Sequence, residues 1–186
     1  MGQIVVTEFI SLDGVIEAPG GGEGFKHDGW SFEFDRGDEG NTFKLDETRS
    51  SAALLLGRRT YEGFAAAWPS RTDDVGFADK FNSMPKYVVS STLESADWNN
   101  TTILRNVDDV TKLKNDVDGE IVVHGSPTLF QGLLEHDLVD ELRLMVFPVV
   151  LGTGKRLWGE TSDKKQFTLA DSKTVGEGVV ILTFRR

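Results

Sequence analysis

The segment EIVVHGSPTLFQGLLEH, residues 120–136, decides the fold class. Glu120–Val123 is a short run rich in β-branched residues and reads as a strand. Gly125 then permits close backbone approach. Ser126 is a good N-cap, and Pro127 suits the first helical position. Leu129, Phe130, Leu133 and Leu134 recur at helical spacing, which predicts a helix over Ser126–His136 with one apolar side. A strand that passes through a glycine directly into a helix is the repeating unit of α/β proteins.

The same unit lies upstream. Ala53–Leu56 is a short buried strand, Gly57 ends it, and Thr60–Ala67 reads as a helix that Trp68-Pro69 stops. Ile4–Leu12 is apolar on both faces and predicts a central strand, closed by Asp13-Gly14. Further strands are expected at Lys86–Ser90, Thr102–Leu104 and Val139–Phe147. Helices are expected at Asn41–Ala52, with Phe43 or Lys44, Leu45 and Thr48 turned inward, at Val75–Ser83 and at Val107–Asn115. Phe167–Val175 and Val179–Phe184 flank Gly176-Glu177-Gly178 and read as a terminal hairpin. Ala18–Gly40 is a glycine-rich irregular stretch holding Trp30, too long for an ordinary connection. The expected architecture is a three-layer α/β domain: a mostly parallel mixed sheet, helices on both faces, and a C-terminal antiparallel hairpin. No repeat or linker divides residues 1–186.

Composition removes several classes. The chain has no cysteine and three histidines (His27, His124, His136) without metal-binding spacing, so no metal site is expected. Thirty acidic residues against twenty basic ones give a net charge of -10, which argues against nucleic acid and anionic membrane partners. The longest apolar run, Leu144–Leu151, contains Pro148 and is far too short to span a bilayer. The first residues enter a strand pattern at once, without a basic leader, and a cytoplasmic location is the expectation.

Ligands of open α/β sheets bind beyond the carboxyl ends of the strands. Three such ends look suited to anions. After Gly57 come Arg58, Arg59 and Thr60, with Thr60 as the N-cap; a capped helix with two solvated arginines is the competing explanation. After Val123 come Gly125, Ser126, Pro127, Thr128 and Leu129. After Val89 come Ser90, Ser91 and Thr92, which also suit a turn held by its own hydroxyls. Together, two helix N-termini match a pyrophosphate, and two arginines with two serines match an extra phosphate monoester of the kind that separates NADP from NAD. The GxGxxG fingerprint is absent after the first strand, so an ordinary Rossmann domain is excluded. Gly152-Thr153-Gly154-Lys155 lacks P-loop spacing.

The motifs SLDGVIE, LGRRTYEGF, VVSSTL, VVHGSPTLFQGLL and DELRLMVFPVVLGTGKRLW, in this order, resemble the dihydrofolate reductase-like fold. Within it they are most similar to the family of the C-terminal reductase domain of the riboflavin biosynthesis protein RibD, in its stand-alone bacterial form. The resemblance implies NADPH as hydride donor, a small pyrimidine or pterin-like substrate, and a homodimer. It implies that Gly57, Arg58, Arg59 and Thr60 hold cofactor phosphates, that Ser90 and Ser91 meet the 2′-phosphate, and that Gly125–Leu129 cover the pyrophosphate. Asp13, Gly14, Val15 and Ile16 would lie beside the nicotinamide. Asp13 and Trp30 are the catalytic candidates, although Asp13-Gly14 is also a good turn pair and Trp30 also suits a loop anchor. The place of the dihydrofolate reductase carboxylate falls on Asn41, an amide, which argues against dihydrofolate reduction. A binding module that keeps the nucleotide pocket without catalysis is the alternative reading. The apolar run Val139–Val150 points to a homodimer burying this end of the sheet.

Overall fold

The computed structural model describes residues 1–186. Eight strands form one sheet: β1 (Gln3–Ser11), β2 (Ser51–Gly57), β3 (Lys86–Val89), β4 (Thr101–Leu104), β5 (Glu120–Val123), β6 (Glu141–Phe147), β7 (Thr168–Val175) and β8 (Val179–Arg185). Their order is β4-β3-β2-β5-β1-β6-β8-β7. Only β8 runs against the rest, pairing antiparallel with both β6 and β7. The mostly parallel mixed sheet and the terminal hairpin are therefore as expected.

Five helices cover it: α1 (Gly37–Ser50), α2 (Arg58–Ala67), α3 (Phe77–Ser83), α4 (Asp108–Asp116) and α5 (Pro127–Glu135), with a 3₁₀ turn at Trp30–Glu33. Strand alternation sorts the core. Ile4, Val6 and Ile10 of β1, with Ala53 and Leu55 of β2, face α4 and α5. Leu54 and Leu56 face the other way, against Tyr61 of α2 and Phe81 of α3. Beyond β1, Met145, Phe147, Val175 and Ile181 pack on Trp30. β5, the strand quoted first, lies between β1 and β2 with Ile121, Val122 and Val123 wholly buried. Each such side chain contributes roughly 1.5–3 kcal/mol.

Three local readings change. The helix expected from Asn41 begins at Gly37 and ends at Ser50. Asp38 and Glu39 stand in its first turn, where they complement the dipole, and Ser51 pairs with Glu120 as the start of β2. Its inward residues include Lys44, Glu47 and Thr48, while Leu45 is only partly covered. Second, α2 has Gly57 as its N-cap with no side-chain cap, so Thr60 lies inside the helix. Third, Phe147 is 1 % exposed beneath Trp30, which leaves Val150 as the uncovered part of the apolar run. No helix is long and apolar enough to cross a membrane.

Candidate functional site

Strand lengths create the site. β5 stops at Val123, which pairs with Val6 of β1 and Leu55 of β2. Both neighbours run on, β1 to Ser11 and β2 to Gly57. A notch opens between them at the end of β5, where ligands of such sheets bind.

Two strand–helix turns meet there. Gly125 has a φ of 96°, a conformation that favours glycine. Ser126 caps α5 by accepting the Leu129 amide at 3.4 Å. Gly57 has an ordinary φ of -74°, so its turn does not need a glycine. Close approach does: a Cβ at Gly57 would stand 2.3 Å from Ser126 Oγ. The Gly57 amide also donates to the Gly125 carbonyl at 3.4 Å. The amino ends of α2 and α5 thus open on one notch, and their free N–H groups favour an anion.

Cations border it. Arg58 donates to Glu62 Oε1 at 2.8 Å and to Thr92 Oγ1 at 2.7 Å, which ties α2 to the turn after β3. Glu62 therefore pairs with Arg58. Arg59 is exposed; burial raises the pKa of Glu23 in the glycine-rich loop, and Arg59 opposes that shift only weakly, after Lys155. Ser90 is buried and its Oγ accepts the amides of Thr92 and Leu93, so it shapes the turn, while Ser91 is exposed. Arg105, one residue past β4, donates to the Leu93 carbonyl at 2.7 Å. It escaped the sequence reading, because nothing in one segment shows that the end of β4 abuts the turn after β3. Parallel register, with Val89 opposite Leu104, brings them together.

The Ser11–Ile16 turn is stapled to residues 151–157. Asp13 accepts from Ser11 Oγ at 2.7 Å and from the amides of Leu151 and Gly152 at 3.1 and 2.9 Å. These bonds, the Ser11 hydroxyl foremost, hold its carboxyl down at about 2. Asp13 is thus an ionised latch and carries no proton to give at neutral pH. Val15 bridges Arg156, and Ile16 donates to the Lys155 carbonyl at 2.9 Å. The Gly152–Lys155 run is the partner of this turn. Trp30 is 1 % exposed, donates its Nε1 to the Glu17 carbonyl at 2.8 Å and sets its ring edge-on to Phe147. It anchors the loop in the core and does not cover the notch. Asn41 is exposed and accepts from Arg36 Nε.

A buried polar cluster on the α1 face was also missed. Lys44 Nζ donates to Glu47 and, at 2.8 Å, to Thr7 Oγ1, which in turn donates to Glu47 Oε2 at 3.1 Å. Arg143 on β6 reaches Glu47 Oε1 at 3.5 Å and Glu120 at 2.6 Å. Burial raises the Glu47 pKa, but Lys44 outweighs it with its neighbours and keeps the carboxyl ionised. His124, between the rings of Phe64 and Phe81, is pushed down to about 3 by burial and then by Lys44. Its Nε2 has no partner. A buried ion pair adds little net stability, and here Lys44, Thr7 and Glu47 satisfy one another.

Residues 3–181 match the RibD C-terminal domain family. The chain belongs to that family. Among curated relatives, the uncharacterized proteins YyaP and YwjB of Bacillus subtilis (strain 168) are each 27% identical to it. The alignments cover 98% and 91% of this chain and 94% and 90% of those proteins. A protein from Shewanella sp. PV-4, described as a "putative riboflavin biosynthesis protein", superposes with a TM-score of 0.76 at 22% identity, covering 99% of this chain and 98% of that one. A pyrimidine reductase-like protein from Corynebacterium diphtheriae NCTC gives 0.62 at 12% identity, covering 98% and 91%. The RibD C-terminal fold is thereby shared across the full sheet, with the notch at its centre.

Proposed function

We propose that this RibD C-terminal family member is an NADPH-dependent reductase of a small pyrimidine or pterin-like compound. The observation that carries the reading is the interlock of Gly57 and Ser126, which brings two helix N-termini onto one notch bordered by Arg58, Arg59 and Arg105. The residues fit a dinucleotide: open amides suit a pyrophosphate, and the arginines suit a phosphate monoester. When bound, NADPH supplies the hydride.

The chain's own part is binding and placement. Gly57, Gly125 and Ser126 give backbone access to phosphates. The Asp13 latch fixes Gly14, Val15 and Ile16 beside the notch. The buried Lys44–Glu47–Thr7 cluster satisfies its own hydrogen bonds and braces α1 against β1. The buried apolar walls of β1 and β5 limit water.

The test is a titration of NADPH and NADH against the purified protein, followed by cofactor oxidation with candidate pyrimidine and pterin acceptors. Selective NADPH binding with turnover of one acceptor is expected. Selective binding without turnover on any of them would favour the non-catalytic module. No binding of either dinucleotide would overturn the reading.

A further inference from the structure

A buried carboxyl, Glu8, stands at the notch. Strand alternation puts Glu8 on the face of β1 that carries Val6 and Ile10. Val6 is the last residue of β1 paired with β5, so Glu8 stands beside the space where β5 has ended. Glu8 is 7% exposed, and its Oε1 has no hydrogen-bond partner. A Cβ at Gly125 would lie 3.8 Å from that oxygen and 3.1 Å from Thr60 Oγ1. Carboxyl, hydroxyl and glycine therefore converge at the joint between the two strand–helix turns. A buried polar atom without a partner is costly. The cost is removed when a ligand brings the partner.

The neighbouring elements leave Glu8 without a charged hydrogen-bond partner. From α1 come Lys44 and Glu47, which are paired with each other. From β5 comes His124, neutral and itself unpartnered at Nε2. From α2 comes the uncharged Thr60, and the first turn of α5, Pro127–Phe130, carries no charge. From β6 comes Arg143, engaged by Glu120, Glu141 and Glu47. Also on α2, Arg58 is paired with Glu62 and Arg59 is exposed, and neither forms an ion pair with Glu8. Burial pushes its carboxyl up to about 8, against the pull of Lys44. At neutral pH Glu8 is a neutral acid with an O–H to give.

We infer that Glu8 is a cofactor-contacting residue, which donates its carboxyl O–H to an acceptor oxygen of the bound dinucleotide. The inference rests on the dinucleotide reading of this notch. A protonated carboxyl faces a phosphate-bearing ligand without repulsion, whereas an ionised one repels it and has no hydrogen to donate. Cofactor affinity is therefore linked to the Glu8 proton.

NADPH is titrated by quenching of tryptophan fluorescence between about pH 7 and pH 9.5, around the raised carboxyl. The phosphate monoester, with a second pKa of about 6, is largely ionised throughout that range. Wild type should lose roughly tenfold in affinity from neutral to alkaline pH, the worth of one such hydrogen bond. Glu8→Gln keeps an N–H donor and has no ionisable group, so its affinity should stay level across the range. Carbon-13 NMR of the Glu8 carboxyl gives an independent reading: saturating NADPH should raise its titration midpoint. The same pH profile in wild type and Glu8→Gln, or a midpoint that NADPH leaves unchanged or lowers, overturns the inference while the cofactor assignment stands. NADPH failing to bind wild type at any pH overturns both.

Discussion

Asp13 and Gly152 are 139 positions apart and joined by a 2.9 Å hydrogen bond from the glycine amide to Asp13 Oδ2. Leu151 and Ser11 share the same carboxylate. One acidic side chain thus closes the turn after β1 onto the segment after β6. Asp13→Ala should cost about 1.5–3 kcal/mol, the range for bonds to a charged acceptor, and Asp13→Asn less, because the amide oxygen still accepts. Urea unfolding measures both. The carboxyl is held below its ordinary 3.8, so the stability it contributes is present above that pH and lost as the pH falls through about 2.

Glu8 and His124 tilt the stability curve in opposite directions. Glu8 is raised from 4.5 to about 8, so its favourable contribution is full below pH 4.5 and lost as the pH rises through about 8. His124 is lowered from 6.5 to about 3, so its contribution is present above pH 6.5 and lost as the pH falls through about 3. Glu8→Gln should gain on wild type as the pH rises through this window, and His124→Leu should flatten the acid limb. Denaturant midpoints across the two windows decide the matter. Parallel curves for wild type and Glu8→Gln would contradict the buried-acid assignment.

Arg58 and Arg59 no longer stand as an equal pair. Arg58 already holds Glu62 and Thr92, whereas Arg59 is exposed with only the field of Glu23 near it. Arg59→Ala should weaken NADPH at least about tenfold, the worth of one charge-assisted bond, and leave NADH nearly unchanged. Arg58→Ala should have the smaller cofactor effect and loosen the turn after β3. The selectivity should fade as salt rises. Equal losses for both dinucleotides would assign the arginines to the shared pyrophosphate.

The strand–glycine–helix units were legible because their turn chemistry is local: Ser126 caps α5 as its sequence indicates, and Gly57 ends β2 where expected. The sheet class followed from the doubly apolar runs of β1, β2 and β5. Gly37 hid the true start of α1, since a glycine in a glycine-rich stretch reads as loop. Glu47 was hidden for a different reason. A charge on a helix reads as its wet side, and only tertiary packing shows that Glu47 turns inward with Lys44, one of the two alternatives for that inner position, to meet Thr7. Glu8 lies inside Ile4–Leu12, which reads as a strand apolar on both faces, and carried no signal of its own. Its meaning came from the early end of the neighbouring β5, which no local pattern reports.

The apolar surface beside the Asp13 turn should be shared between two copies. Leu12 is 62% exposed, Val150 66% and Trp158 49%. Leu12 and Trp158 line a cleft of about 390 Å³ with Leu144 and Val146. Uncovered apolar patches of this kind mark association surfaces. Sedimentation should give twice 20.5 kDa, and Trp158→Glu should shift it to the monomer. A wild-type monomer at micromolar concentration would reject the homodimer.

The contact between Gly57 and Ser126 means that two loops from distant parts of the sequence have no independent freedom. A ligand fragment that fills only one of them immobilises the other as well, and the ordering entropy is spent once. Adenosine 2′,5′-bisphosphate, which lacks the nicotinamide half, should therefore leave the second half easier to bind. Gly57→Ala, which drives a methyl group into the Ser126 hydroxyl, should uncouple the halves and abolish that advantage even in molecules that stay folded.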